Sequence, residues 1–419
     1  MEHIDVTKIM EAFSSHINSN RDLSFLFGAG ISIDYVPDIQ VITSNIENEI
    51  IASNIEKDKA AWEFLKTEAN DNTKSFTIEF VFSCLSNKLI AVGKEKLLGL
   101  NHSELSDFLE RLVLLFNNEI CKNIKPDSKG SYNEIIKLSP HLKFAEWLTH
   151  RNSTIGCEIF TPNYDYLLEL ALEFQKIRYY DGFNGGFVPY FDSSSIEDRN
   201  YRMPDVKLWK VHGSLGWSAQ EGEIIKSREE KNKIMILPSS LKYDETKKLP
   251  YSILLDRFAS AIRANEGTLI VCGYSFNDNH INDIIINSLK ANRKAQVFAF
   301  VYDKLPLDEG EKCNLDEIKC NYKYTVVKDS HYEKICKLSN QITILGFRTI
   351  IHKGEIYQIK MSNCPDSPDD SLPYFTYDLV EDPETKKEVC NGFGELKICD
   401  FKEMASFLKK MAGEFNEQQ

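Results

Sequence analysis

The run Leu23-Ser24-Phe25-Leu26-Phe27-Gly28-Ala29-Gly30-Ile31-Ser32 is where the fold of this chain is read most directly. Leu23–Phe27 is a short apolar run, which reads as a buried strand, and the glycines after it read as a tight turn. The strand signal returns at residues 155–160, at 206–211, at Thr268–Cys272 and at 296–302. Helical patterns lie between. One spans 165–177, and Ile281, Ile284, Ile285 and Leu289 mark one face of another. Strands alternating with helices predict an α/β fold built on a doubly wound parallel sheet. Such sheets bind ligands beyond the carboxyl ends of their strands.

Two stretches lie outside this alternation. Residues from about 39 to 140 are mostly helical in pattern, with Leu105, Phe108, Leu109, Leu112 and Phe116 at helical spacing. Asn101 and Glu104 stand where a capping box would start that helix. This stretch reads as a helical insertion beside the sheet. After about Leu338 the pattern changes to strand-like alternation at 342–351 and 355–361, a polar proline-containing loop at 363–371, and a helix at 401–411. Residues 338–419 therefore read as a small C-terminal α+β element. It either covers an edge of its own sheet or presents a strand to another subunit.

The chain of 419 residues, 42% hydrophobic and 27% charged, holds enough apolar material for a sizeable core. Its formal charge of −13 disfavours broad contact with nucleic-acid phosphates. The cysteines form no CxxC pair, so buried reduced thiols are expected and no metal is. The opening Met1-Glu2-His3-Ile4-Asp5 lacks the regions of a signal peptide, and no apolar run reaches the length of a membrane span. A soluble, cytoplasmic protein is the expectation.

Four motifs follow strands. In Gly28-Ala29-Gly30-Ile31-Ser32, two glycines let the backbone approach a phosphate and Ser32 offers a hydroxyl; a turn that only reverses the chain has the same sequence. In Thr161-Pro162-Asn163-Tyr164-Asp165, an amide and a carboxylate two residues apart can face one ligand, or can cap the following helix. In His212-Gly213-Ser214-Leu215, the imidazole can take a proton from a sugar hydroxyl, or can be held by a backbone carbonyl. Gly273-Tyr274-Ser275-Phe276-Asn277-Asp278-Asn279-His280 offers a second phosphate- or ribose-binding turn. Asn277 or Asp278 serves there as a helix cap, and His280 reads as a surface or cap residue.

The order of these motifs, GAGIS, TPNYD, VHGSLGW and CGYSFNDNHIN, resembles the sirtuin superfamily, in particular the sirtuin-like NAD⁺ hydrolases of bacterial antiviral defence. The resemblance spans residues 23–302. It implies a Rossmann-like fold, with residues 1–337 as the NAD-binding catalytic domain. It also implies NAD⁺ as substrate, cleaved to nicotinamide and ADP-ribose. By motif match, Gly28, Ala29, Gly30 and Ser32 line the phosphate region, and Asp38 stands in the loop that follows. Asn163 positions the nicotinamide ribose and a water, Asp165 holds the carboxamide, and His212 is the general base. Gly273 and Ser275 contact the adenosine side.

The chain departs from the family's protein deacylases. They carry a four-cysteine zinc ribbon after the histidine, and residues 218–250 here contain no cysteine. The family arginine after Pro37-Asp38 is absent, and Pro162 stands where a glutamine is usual. These changes count against acyl-lysine chemistry more than against NAD⁺ binding. A deacylase and a non-catalytic NAD⁺ or ADP-ribose sensor are the alternatives. The sequence contains no GxxxxGK[ST] phosphate loop. The resemblance accordingly implies a separate sensor, such as a HerA-like hexameric DNA-translocating ATPase, and a homo-oligomer.

Overall fold

A computed structural model describes the chain apart from residues 1, 19–21, 72–74, 93–95, 97–98, 152–155, 199, 202–205, 228–232, 236–248, 309–310, 316–321, 363–371, 383–385 and 417–419. The loop expected at 363–371 lies outside the described residues. The central sheet has twelve strands. In chain order they are β1 (Glu2–Asp5), β2 (Leu23–Phe27), β3 (Glu158–Thr161), β4 (Tyr179–Tyr180), β5 (Val206–Lys210) and β6 (Thr268–Cys272). Then follow β7 (Gln296–Phe300), β8 (Ile342–Leu345), β9 (Thr349–His352), β10 (Glu355–Lys360), β11 (Phe375–Glu381) and β12 (Glu388–Leu396). Their order across the sheet is β11-β12-β10-β9-β8-β7-β6-β2-β3-β5-β4, with β1 added against β10. From β8 through β4 every pairing is parallel.

Side chains alternate across this parallel region with the period of two that a strand imposes. Phe25, Phe27, Ile159, Ile270, Cys272, Phe298 and Phe300 enter one core. Leu26, Phe160, Trp209, Leu269, Val271, Val297 and Ala299 enter the other. Helices cover both faces, which makes the sheet doubly wound as expected. The helices are α1 (Val6–Asn18), α2 (Ile39–Ala52), α3 (Glu56–Asp71), α4 (Ile78–Ala91), α5 (His102–Cys121), α6 (Asn133–Leu138) and α7 (Pro140–His150). After β3 come α8 (Leu167–Phe174), α9 (Ser193–Glu197), α10 (Tyr251–Ile262), α11 (Asn279–Ala291), α12 (His331–Cys336) and α13 (Phe401–Asn416). On the first face, α1, α7, α8 and α13 supply Phe13, Phe144, Leu168 and Met404. On the second, α10 and α11 supply Leu254, Phe258, Ile281, Ile285 and Leu289.

The helical insertion has a core of its own. Ile46, Trp62, Phe82, Leu105 and Phe108 are buried together there. Asn101 and Glu104 close the capping box anticipated for α5. The insertion meets the sheet's ligand end through Phe116, whose ring lies edge-on to Tyr164 at 6.0 Å.

Three sequence expectations are adjusted. The stretch 342–351 is an antiparallel hairpin of two strands, because Gly346 makes a turn beneath the carboxylate of Asp303. Asp303 accepts the Phe347 N–H at 2.9 Å, and burial raises its pKa to about 6. The segment after Leu338 is built onto the central sheet, since β8 pairs in parallel with β7. Cys157, Cys272, Cys336 and Cys399 are buried free thiols as anticipated, whereas Cys313 is disulfide-bonded. Among the described residues no helix is long and apolar enough to cross a membrane.

One buried ion pair ties the second face together. Arg257 of α10 donates through Nε and a terminal nitrogen to the two oxygens of Glu158 on β3, at 2.8 and 2.7 Å. Trp209 Nε1 of β5 donates to the same carboxylate at 2.8 Å. A carboxylate this deep is tolerated only because its lone pairs are matched. Arg257→Ala strands that charge and should lower stability by about 3–5 kcal/mol in urea unfolding. The double replacement Arg257→Met with Glu158→Gln keeps an acceptor for Trp209 and should recover most of the loss. Equal losses in the single and double variants would contradict this account.

Candidate active site

The carboxyl ends of β2, β3, β5 and β6 surround a cavity of about 750 Å³, within the range of small-molecule sites. It sits where β2 has β3 on one side and β6 on the other, so the chain direction of the winding reverses there. The insertion and the segments after β6 and β7 supply its remaining walls, including Ile39, Ile42, Phe116, Tyr302 and Tyr332.

The glycines are explained first by packing. Gly28 N–H donates to Cys272 O at 3.0 Å, and Gly30 N–H donates to Gly273 O at 2.9 Å. A Cβ on Gly28 would lie 2.4 Å from Gly273 O, and one on Gly30 would lie 2.8 Å from Gly273 Cα. Gly273 itself has φ +66°, and its Cβ would lie 2.6 Å from Ile31 N. The two turns therefore touch backbone to backbone. Ala29, Gly30 and Gly273 line the cavity; Gly28 lies behind it as a packing residue.

Ala29–Ser32 form one turn of 3₁₀ helix, which turns Ser32 inward. Its buried hydroxyl donates to Asp165 Oδ2 at 2.9 Å and accepts from Asn163 Nδ2 at 3.2 Å. Asn163 Nδ2 also donates to Gly28 O at 3.0 Å. Its backbone N–H donates to Thr161 Oγ1 at 3.1 Å, and that hydroxyl donates to Phe27 O at 2.7 Å. Asp165 Oδ1 accepts the Leu167 N–H at 3.0 Å. The N-cap of α8 is Tyr166, without a side-chain bond, so Asp165 is not the cap; its bond to Leu167 N uses one oxygen, while the carboxylate still reaches the cavity wall.

Sequence reading missed the residue beneath this loop. Lys210, last in β5, is buried; its Nζ donates to Asn163 O at 3.2 Å and more closely to Asp165 O. It also pairs with Glu169 Oε1 at 3.1 Å. Burial raises the Glu169 carboxyl, and the Lys210 charge opposes that rise. The lone signal was the second of two lysines in Val206-Lys207-Leu208-Trp209-Lys210, and a solvated strand end reads the same way.

His212 lies just beyond β5 and lines the cavity. The reading of His280 as a surface or cap residue does not hold. His280 is buried, and its Nε2 lies 2.8 Å from His212 Nε2. It comes from the first turn of α11, whose start packs over the end of β5, a proximity no local pattern reports. Asp38 caps α2, accepting from Gln40 N at 2.8 Å and Val41 N at 3.2 Å, and lines the cavity with Ser275. Ser275 O accepts from the His331 ring at 2.9 Å. Tyr274 donates its hydroxyl to Asp278 O at 3.2 Å, and burial pushes its pKa well above the usual value.

Gly273→Ala should cost at least about 2 kcal/mol, because left-handed strain of roughly 1–2 kcal/mol adds to the collision with Ile31 N. Gly222→Ala is the control: φ there is +86°, with nothing within 4 Å of the added carbon. Equal melting-temperature losses in the two variants would show that the contact between turns is not what constrains Gly273.

No curated protein matches this chain. Residues 157–322, which contain Asn163, Asp165, His212, Gly273 and Ser275, match the model of a family described as the SIR2-like domain, so the stretch that brings the turns after β3, β5 and β6 to this cavity is sirtuin-like.

Proposed function

We propose that this chain is an NAD⁺ glycohydrolase that breaks the bond between nicotinamide and ribose. The observation behind the reading is the meeting of Asn163, Asp165, Ser32 and His212 in one cavity at the strand ends, within and beside a SIR2-like segment. Ser32 and Gly28 O occupy the amide nitrogen of Asn163. That leaves Oδ1 to accept a hydrogen from water and aim its lone pair at the anomeric carbon. Asp165 has used two of its roughly four acceptor positions and retains others for the carboxamide of nicotinamide. The carbon–nitrogen bond breaks through an oxocarbenium-like state, and nicotinamide leaves as a neutral molecule with the electron pair. His212 takes the proton of a ribose hydroxyl, and water adds to the carbon and releases its own proton to solvent. The products are nicotinamide and ADP-ribose.

His212→Ala and Asn163→Ala should each reduce turnover by ~10²–10⁴-fold, with unfolding curves close to wild type. The assay follows nicotinamide release by chromatography. Turnover near the wild-type rate in folded His212→Ala protein would remove the histidine from the mechanism. NAD⁺ binding without product in wild type under every condition would instead favour a sensor.

Unrestrained cleavage would drain a cell of NAD⁺, which suits an antiviral effector held inactive until triggered. In this proposal the chain forms a homo-oligomer and a HerA-like hexameric ATPase raises its turnover. Sedimentation with and without a HerA-like ATPase should show a larger particle and faster NAD⁺ loss. A monomer at micromolar concentration, unchanged in size and rate by that partner, would overturn the gated assembly and leave the cleavage chemistry to be judged alone.

A further inference from the structure

We propose that His212, His280 and Asp278 form a binding site for one divalent transition-metal ion, of which Zn²⁺ is the best fit, in the wall of the cavity. The ligand atoms of these residues lie within 4.8 Å of one another. The two imidazoles meet at their Nε2 atoms, 2.8 Å apart, with ring centroids 5.0 Å apart and planes inclined by 33°. Such a separation between centroids means that the nitrogen corners, not the ring faces, are opposed. A single proton between them satisfies both nitrogens, one as donor and one as acceptor. A zinc ion in its place needs nitrogens roughly 3.3 Å apart, given Zn–N bonds of ~2.0 Å in a tetrahedral shell. The rings must therefore separate by about half an ångström, a small side-chain movement.

Asp278 supplies the third ligand. It stands immediately before α11, where an aspartate ordinarily accepts hydrogen bonds from the first turn, yet its side chain makes no such bond. Its carbonyl does the work of starting the helix, accepting Ile281 N–H at 3.1 Å and Asn282 N–H at 3.0 Å. The carboxylate stands beside both histidines. Two neutral imidazoles and one carboxylate give a set of harder nitrogen and oxygen donors that suits zinc and its neighbours in the first transition row. The helix dipole opposes a cation at this end, and the carboxylate charge offsets it.

His212 and Asp278 line the cavity, and His280 lies behind them. Three protein ligands with a fourth position facing a cavity form an open site, unlike the closed four-ligand site of a zinc ribbon. The consequence for turnover rests on the hydrolase reading above. A cation on His212 removes one imidazole nitrogen from proton transfer and adds positive charge beside an oxocarbenium-like state. Bound zinc should therefore inhibit.

The test uses full-length protein stripped with a chelating resin and titrated with Zn²⁺ against a chromophoric chelator. Wild type should bind one equivalent with sub-micromolar affinity. Asp278→Asn and His280→Gln should each weaken that binding at least tenfold, and His331→Ala should not change it. His280→Gln keeps a hydrogen-bonding partner for His212, and circular dichroism reports whether each variant is folded. Should either fold poorly, loss of the high-affinity equivalent in the remaining folded variant decides. No high-affinity equivalent in wild type, or equal uptake by wild type and the folded variants, would overturn the site. The titration needs no NAD⁺ turnover, so failure of the hydrolase reading and failure of the metal site are separate results.

Discussion

The backbone contact between the turn after β2 and the turn after β6 is the constraint on which the rest of the site depends. Gly30 N–H to Gly273 O at 2.9 Å and Gly28 N–H to Cys272 O at 3.0 Å hold the two strand ends in register. No side chain fits between them. The closeness sends the chain into the 3₁₀ turn that points Ser32 inward. Ser32 then fixes the Asn163 amide on one side and the Asp165 carboxylate on the other. A glycine turn in this position serves the protein's own architecture as much as any ligand's phosphate.

The third strand end is fixed by charge. Lys210 reaches across from β5 and donates to the carbonyls of Asn163 and Asp165. A buried ammonium is costly unless its donors are matched, so the loop carbonyls and Lys210 sustain each other. The same matching of buried polar atoms operates on the second face of the sheet, where Arg257 and Trp209 donate to Glu158. Both networks join β3 to β5. The strands that carry Asn163, Asp165 and His212 are thus coupled by directional bonds as well as by apolar packing.

The additions to the sheet have distinct consequences. The helical insertion has its own apolar core, yet it also brings Ile39, Ile42 and Phe116 to the cavity. At the other side, β8 continues the parallel sheet, and β9 to β12 extend it with antiparallel strands. The N-terminal β1 closes onto β10, and α13 packs in the same core as α7, so both ends of the chain are held against one body. The strand edge that β7 would otherwise expose is therefore covered by the chain itself.

Hydrophobic period and turn chemistry are local properties, and what they encode was legible in the sequence. Thr268–Cys272 and Leu23–Phe27 appear as strands with the bounds their apolar runs suggested, and the α5 capping box follows from Asn101 and Glu104. The gathering of Asn163, Asp165, His212 and Ser275 at one end of the sheet was legible too, because strands in a parallel sheet share a direction and each motif follows a strand. The hairpin at Gly346 was hidden, since alternation alone does not mark a reversal without a strong turn dipeptide. Lys210 beneath the loop, His280 against His212, and Asp278 beside both histidines were not legible. Each depends on which strand neighbours which and on the angle at which a helix begins. Those quantities are set by the packing of the whole chain, so only the tertiary structure decided them.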